Sequence, residues 1–287
     1  MKGYKEGIIM NDTIEVFGKG TILQHGKCND RIYLMKLDEQ DVDIIITLLK
    51  ELAYKNKYSK IFCKIPKHIS PLFFANGYIL EAYIPGFYNN LHDVFFVSKF
   101  LNSDRLLNIE NKQLLDFFDL LSEKPEKRQN SENTSGYSVR KLNKSDVKQI
   151  TGIYSEVFET YPFPIYNPDY IMETMKKNIQ YFGAEKKGKL AALSSAEIDF
   201  KGENAEMTDF ATHLSHKGNN LSGQLLTIME TEMKKQGIKT LYTIARIKSV
   251  PMNKTFLKNG YHYSGTLIKN TNIAGMIESM NVLYKHL

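Results

Sequence analysis

The stretch whose residue types and spacing could do chemistry is 205–226, AEMTDFATHLSHKGNNLSGQLL. It reads as a strand, a short loop with Lys217 and Gly218, and the start of an apolar helix. In that order the loop amides and the first helical turn face outward at the end of a strand, where partial positive charge gathers without any side chain. That is an anion cradle. A glycine that merely closes a turn is the alternative reading of Gly218, because short glycine motifs recur without ligands. His213 and His216 stand three apart, yet no further ligand cluster lies nearby, so they read as neutral loop residues or phosphate neighbours and no metal is expected. The chain has no serine-centred nucleophile elbow and no dinucleotide fingerprint. Cys28 and Cys63 lack metal-ligand spacing, which suits buried, reduced thiols better than a disulfide framework.

The elements that must hold the cradle fall into two parts. At 287 residues the chain is about twice a typical single domain. Its 42% apolar and 24% charged residues are those of a globular protein rather than a disordered one. The net charge of +6 is spread along the chain without a block of like charges, which argues against nucleic acid and leaves a mild field favouring an anionic cofactor. No run approaches the ~18 apolar residues of a membrane helix and no leader pattern opens the chain, so a cytoplasmic protein with no membrane partner is expected.

The first forty residues suggest three or four short strands: GIIM, TIEVFG, GTILQHG and RIYLMKL. Helical spacing of Val42, Ile45, Ile46, Leu48, Leu49 and Leu52 predicts a helix over 41–57. A strand over 60–65, a short helix ended by Gly77, strands over 78–84 and 94–101 and a helix over 111–122 follow. Residues 122–136, SEKPEKRQNSENTSG, contain nothing that could be buried against the entropy of ordering them. We place a polar linker there, between a domain of residues 1–121 and one of residues 137–287. The second domain is predicted as a strand (137–142), two helices (to 158, and 169–178) around the proline-broken YPFPIYNP, and a three-stranded meander (179–185, 190–200, 205–212). After the cradle come a helix over 221–236, a strand over 239–245, a short helix over 250–259, and strands over 261–269 and 278–286. The fold class is α/β (α+β), a mixed sheet with helices on its faces.

The two domains end alike. Phe73-Phe74-Ala75-Asn76-Gly77-Tyr78 is echoed by Phe256-Leu257-Lys258-Asn259-Gly260-Tyr261, with a helix and a strand before each and two strands after. The strand 60–65 corresponds to 240–245, and Val97-Ser98-Lys99 to Leu283-Tyr284-Lys285. The first domain therefore reads as a half-copy of the second, against the alternative of two unrelated α/β halves. It lacks the cradle, so a supporting role is expected of it.

The element order of 137–287, with its cradle between the fourth strand and the third helix, resembles the GNAT superfamily of N-acetyltransferases. The hallmark Gln/Arg-x-x-Gly-x-Gly/Ala maps onto Lys217-Gly218-Asn219-Asn220-Leu221-Ser222 as a relaxed copy, with Asn220, a residue tolerant of left-handed angles, at a glycine position. Within that superfamily the chain is similar to the β-lysine N-acetyltransferases. The stretches that carry this are AEMTDFAT, MNKTF, GYILEAYIPGFY and GTLIKNTNIAGMIESMNVLYK. The resemblance implies a catalytic GNAT domain behind a smaller strand-rich domain resembling a partial GNAT half. It implies acetyl-CoA as co-substrate, a small amine as partner, and transfer to the side-chain amine of β-lysine. In that family the substrate comes from a lysine 2,3-aminomutase and the product is a compatible solute. Oligomeric state is left open, a homodimer being one option.

The same resemblance assigns roles. An amine attacks a thioester only when unprotonated, and a lysine-like amine has a pKa near ~10.4, so a proton acceptor is needed. Glu206 and Asp209 are the candidates; their odd separation turns them to opposite faces of a regular strand, so only one is expected to face the site, and either could be a solvated strand residue. Strand amides around Phe210, Ala211 and Thr212 are expected to hold the pantetheine arm. The superfamily's tyrosine acid maps onto Phe256, which has no proton to give, and Asn253, one turn earlier, can only donate a hydrogen bond. Solvent or another tyrosine is left to protonate the thiolate. For the substrate, Arg246 is assigned to the carboxylate, Glu278 to the unreactive amine, and 161–166, with Tyr161 and Tyr166, to a lid; an ordinary surface ion pair is the alternative for Arg246 and Glu278. A different class of function also stands: a non-catalytic module sensing acyl-CoA or an amino acid.

Overall fold

Alternating apolar residues in both halves of the chain feed one continuous mixed sheet. The computed structural model describes residues 12–123 and 136–287, so the GIIM segment and nearly all of the expected linker lie outside the described residues. The first half contains β1 (Thr13–Phe17), β2 (Thr21–Gly26), β3 (Arg31–Lys36), α1 (Val42–Asn56), β4 (Lys60–Pro66), α2 (Ser70–Ala75), β5 (Ile79–Tyr88), β6 (His92–Phe100), α3 (Ser103–Leu107) and α4 (Asn111–Ser122). The second contains β7 (Ser138–Lys141), α5 (Val147–Val157), α6 (Pro168–Lys176), β8 (Ile179–Lys186), β9 (Lys189–Asp199), β10 (Asn204–Thr212), α7 (Leu221–Lys235), β11 (Thr240–Arg246), α8 (Val250–Lys258), β12 (His262–Ile273) and β13 (Met276–His286). The five-residue α3, capped by the Asn102 side chain, is too short to show a helical period and is absent from the sequence reading. Pro85 to Tyr88, expected in a loop, extend β5 instead.

The strand order is β1-β2-β3-β4-β6-β5-β12-β13-β11-β10-β9-β8-β7. Outward from the β5·β12 contact both sides run alike, β5-β6-β4-β3-β2-β1 against β12-β13-β11-β10-β9-β8. Each side has one parallel pair, β3·β4 and β10·β11. The likeness extends to single hydrogen bonds. Tyr78 N donates to Phe73 O and Tyr261 N to Phe256 O, both at 3.1 Å. Lys99 Nζ donates to Asn76 O and Lys285 Nζ to Asn259 O, both at 2.8 Å. The Phe73–Tyr78 and Phe256–Tyr261 rings meet edge to face at 5.1 and 4.9 Å.

α1 packs Ile45, Leu49 and Ala53 on Ile32, Ile61 and Val97; α7 packs Leu225, Leu226, Met229 and Met233 on Met207, Leu241 and Leu283. A third cluster, Tyr33, Phe62, Phe87 and Phe96 with Tyr242, Leu267, Met280 and Val282, lies between the two halves. Where the half-sheets join, Gly265 pairs with Ala82. A Cβ at Gly265 would lie 2.1 Å from the Glu81 carbonyl oxygen, so only glycine lets the backbones meet. No helix of the described residues is long and apolar enough to cross a membrane.

Candidate active site

The parallel pairing of β10 with β11 covers only Asn204↔Thr240, Ala205↔Leu241 and Glu206↔Tyr242. Beyond Glu206, β10 stays with β9 and β11 with β13, so a gap opens between them. A cavity of about 1830 Å³ fills this gap and continues to the first half of the chain. Thr208, Asp209, Phe210 and Thr212 line it from one strand, and Thr243, Ile244, Ala245 and Arg246 from the other.

Glu206 and Asp209 both line the cavity, contrary to the expectation of opposite faces. The reason is a bulge: between Thr208 and Ala211 the register with β9 gains one residue, and Asp209 takes a left-handed φ of 56°. Alternation inverts at that residue. Before it, Ala205 and Met207 face α7; after it, Ala211 faces the α5 side. Asp209 thereby joins Glu206 and Thr208.

Glu197 on β9 stands directly opposite Glu206 and also lines the cavity. Burial, with help from Glu197 and then Asp209, pushes the Glu206 carboxyl up to about 7, against the opposing pull of Lys64 and the Tyr242 hydroxyl. Burial likewise raises Glu197 and Asp209. Asp209 is tied on both oxygens, accepting from Tyr161 Oη on one and from Ser195 Oγ at 2.5 Å on the other. Lys64 Nζ donates to Tyr242 Oη at 3.2 Å.

At the far end of the gap, Lys217, Gly218, Asn219, Asn220, Leu221 and Ser222 line the same cavity. Asn220 takes the left-handed conformation, φ 52°, and gives α7 no side-chain cap. The amides of the first turn are therefore left to a ligand or solvent. Gly218 has φ 85° with open space where a Cβ would be, so its backbone angle, not crowding, is what calls for glycine.

Residues 138–256 match the family described as Acetyltransferase (GNAT) domain. The chain is 40% identical to a β-lysine N(6)-acetyltransferase of Methanococcus maripaludis, over 96% of this chain and 99% of that one. The chain belongs to the β-lysine N-acetyltransferase family, within the GNAT superfamily. It is also 28% identical to the N-acetyltransferase YodP of Bacillus subtilis, over 97% of this chain and 100% of that one. A β-lysine N(6)-acetyltransferase of Methanosarcina mazei is 35% identical over 54% of this chain and 58% of that one.

As a GNAT enzyme the chain uses acetyl-CoA, and the residues present fit it. The uncapped α7 amides and the paired left-handed angles at Gly218 and Asn220 suit a pyrophosphate, and the open edges of β10 and β11 suit an extended arm. Acetyl-CoA supplies an activated thioester acetyl group. A Gly218→Val substitution forces a β-branched residue into the left-handed region and turns the cradle amides away. We expect the KM for acetyl-CoA to rise at least about tenfold, with the melting temperature little changed, since the position is an open loop; steady-state kinetics with varied acetyl-CoA checks this.

Several predicted site residues stand elsewhere. Asn253 is fully buried and not among the lining residues: its amide nitrogen donates to Arg246 O and Ser249 O, both at 2.9 Å, and its oxygen accepts from Asn281. It braces the turn into α8, and has no proton or contact to offer the cavity. Phe256 lines the wall, edge to face with Phe210 at 5.5 Å. The Ala211 side chain lies in the core. Tyr161 lines the cavity, whereas Tyr166 donates to Phe158 O at 3.0 Å and packs beneath it. Arg246 and Glu278 pair with each other, Nε to Oε2 at 3.0 Å and Nη2 to Oε1 at 2.8 Å, and Glu278 is buried away from the cavity with Lys248 also near. The ion pair offered as the alternative for these two residues is the one that forms, with Arg246 still on the cavity wall. His216 lines the cavity with Nδ1 on Tyr137 Oη, and His213 faces Glu156. Sequence reading missed Glu197, Lys64, Tyr33 and Arg31, of which the last three come from the first half of the chain.

Proposed function

We propose that the enzyme transfers the acetyl group of acetyl-CoA to the C6 amine of β-lysine, making N-epsilon-acetyl-β-lysine, a compatible solute of the cytoplasm. The observation that carries this is the facing pair Glu206 and Glu197 with Asp209 beside them. Like charges directly opposite on neighbouring strands are unfavourable. Lys64 answers part of that charge, and a substrate with two ammonium groups answers the rest. Glu206, its carboxyl near neutrality and hydrogen-bonded to the Tyr242 hydroxyl, is the proton acceptor, directly or through one water. Glu197 holds the second ammonium. Asp209, fixed by Ser195 and Tyr161, orients the lid over the amine. Phe256 and Asn253 offer no acid from α8, so the released thiolate takes its proton from solvent.

Residues 1–121 are, in this reading, a degenerate GNAT half that walls the substrate end of the cavity. Its helix start is closed to phosphate: Asp38 accepts from Gln40 N at 3.0 Å, and Asp41 accepts from Lys19 N at 3.0 Å and Thr21 Oγ1 at 2.7 Å. Acids there repel an anion. The test is release of free thiol from acetyl-CoA by the purified enzyme with β-lysine, α-lysine, ornithine or spermidine. Turnover should be confined to β-lysine; preference for spermidine would sink the assignment, and acetyl-CoA binding without turnover on any amine would make the protein a sensing module.

A further inference from the structure

Three buried cations cluster where β3, β4 and α3 approach β12. Lys60 is paired with Glu81 at 2.9 Å, and Arg105 faces Asp30 at 3.8 Å. Arg31 is 4% exposed, lines the cavity, and has no carboxylate partner among the described residues. Its Nη1 is fixed by Asn270 O and by Thr271 Oγ1 at 3.2 Å, and its guanidinium lies over the Tyr33 and Phe62 rings at 5.4 and 5.6 Å. Its Nε is buried with no hydrogen-bond partner. A held but unmatched guanidinium is costly to bury, and an anion entering the cavity relieves that cost. Burial and Arg105 already push this group down to about 10, the direction expected of a cation lacking its counter-ion.

We infer that Arg31, supplied by the first half of the chain, binds the carboxylate of the amino-acid substrate and so aims the distal amine at Glu206. This rests on the amino-acid acceptor proposed above. The other buried or half-buried cations of the cavity are committed: Arg246 to Glu278, and Lys64 to Tyr242 beside the carboxylates. Tyr33, two residues along the same face of β3, stands between the ends, within the field of both Arg31 and Glu206. Two strand residues cover ~6.7 Å, so an extended six-carbon diamino acid anchored at Arg31 reaches as far as Tyr33. An acidic end at Glu206 and Glu197 and a basic end at Arg31 thus match a zwitterion bearing amines toward one side.

The experiment compares β-lysine with 1,4-diaminopentane, the same molecule without its carboxyl group, in wild type, Arg31→Met, Arg31→Lys and Lys64→Met, with melting temperature and acetyl-CoA KM measured alongside. We expect wild-type kcat/KM to favour β-lysine by about a hundredfold. Arg31→Met should bring β-lysine down to the diamine level and leave the diamine and acetyl-CoA values unchanged; Arg31→Lys should recover part of the preference. Equal use of both amines by wild type overturns the inference. So does an Arg31→Met that lowers both amines by one factor at unchanged melting temperature, or loss of the preference in Lys64→Met instead. Where Arg31→Met melts early, the wild-type ratio and Arg31→Lys still decide. Should α-lysine or ornithine prove the better acceptor, the β-lysine assignment falls, and comparison with cadaverine or putrescine tests Arg31 in the same way.

Discussion

Replacing Glu206 with glutamine is expected to lower kcat by about 10²–10⁴-fold while leaving the KM for acetyl-CoA near its wild-type value. Glutamine keeps the shape but cannot take a proton from an alkylammonium, and the cradle lies elsewhere in the cavity. In wild type, kcat/KM should climb with pH through about 7, where the Glu206 carboxyl loses its proton, and this acid limb should vanish in the variant. Glu197→Gln removes a like charge that raises Glu206, so its acid limb should move to lower pH. A limb that stays at neutral pH in Glu206→Gln would assign it to another group. Stability gives an independent reading of the same residue. The folded pKa is raised from an ordinary ~4.3, so the carboxyl's favourable contribution is complete below ~4.3 and is lost as pH rises through about 7. By pH 8 the ionised group opposes folding by at most ~4 kcal/mol in the ligand-free enzyme. Glu206→Gln should therefore melt higher than wild type at pH 8 and nearly level with it at pH 4. A less active, more stable variant is the signature of a residue kept for chemistry.

What the sequence made legible was local. The apolar spacing that predicts a helix over 41–57 and the Asn-Gly-Tyr endings depend on contacts within a few residues, and α1 and the paired turns stand where expected. The shape of the loop before α7 was readable too, because Gly218 and Asn220 carry their left-handed angles as residue preferences. Asp209 shows the limit: periodicity of two assumes an unbroken ladder, and one extra residue reverses every face after it. Its only local signal was an aspartate where a strand-former was due. Arg246 and Glu278 were offered substrate roles with an ion pair as the alternative, and the pair is what forms, since 278 lies on the strand that pairs with 246 and opposite charges on neighbours meet. Arg31, Tyr33 and Lys64 were out of reach. They come to the site through the join of β5 and β12, and no pattern along the chain says which two sheet edges will meet.

That join supplies the second large effect: Glu81→Ala should cost about 3–5 kcal/mol of stability. Between β5 and β12 the ladder contributes one residue pair, Gly265↔Ala82. Glu81 does much of the remaining work, accepting from Ile268 N at 2.7 Å, from Lys60 Nζ at 2.9 Å and from Ser98 Oγ, while Lys60 donates onward to Ile268 O at 2.7 Å. Alanine leaves a fully buried ammonium without its counter-ion and two backbone groups with weaker anchors. Burial already lowers Lys60 to about 8, with Glu81 pulling the other way. Without Glu81 the pKa falls further, and a depressed lysine costs stability increasingly as pH drops through its folded value. The deficit of Glu81→Ala should accordingly be larger at pH 6 than at pH 9, and Lys60→Met in the same chain should recover part of it. Urea unfolding of both variants at the two pH values decides the matter; an unchanged midpoint in Glu81→Ala, or no recovery in the double variant, would remove the pair from the account. Because this join holds the first half of the chain against the cavity while the cradle sits on α7, the weakened enzyme should lose affinity for the amine before it loses affinity for acetyl-CoA.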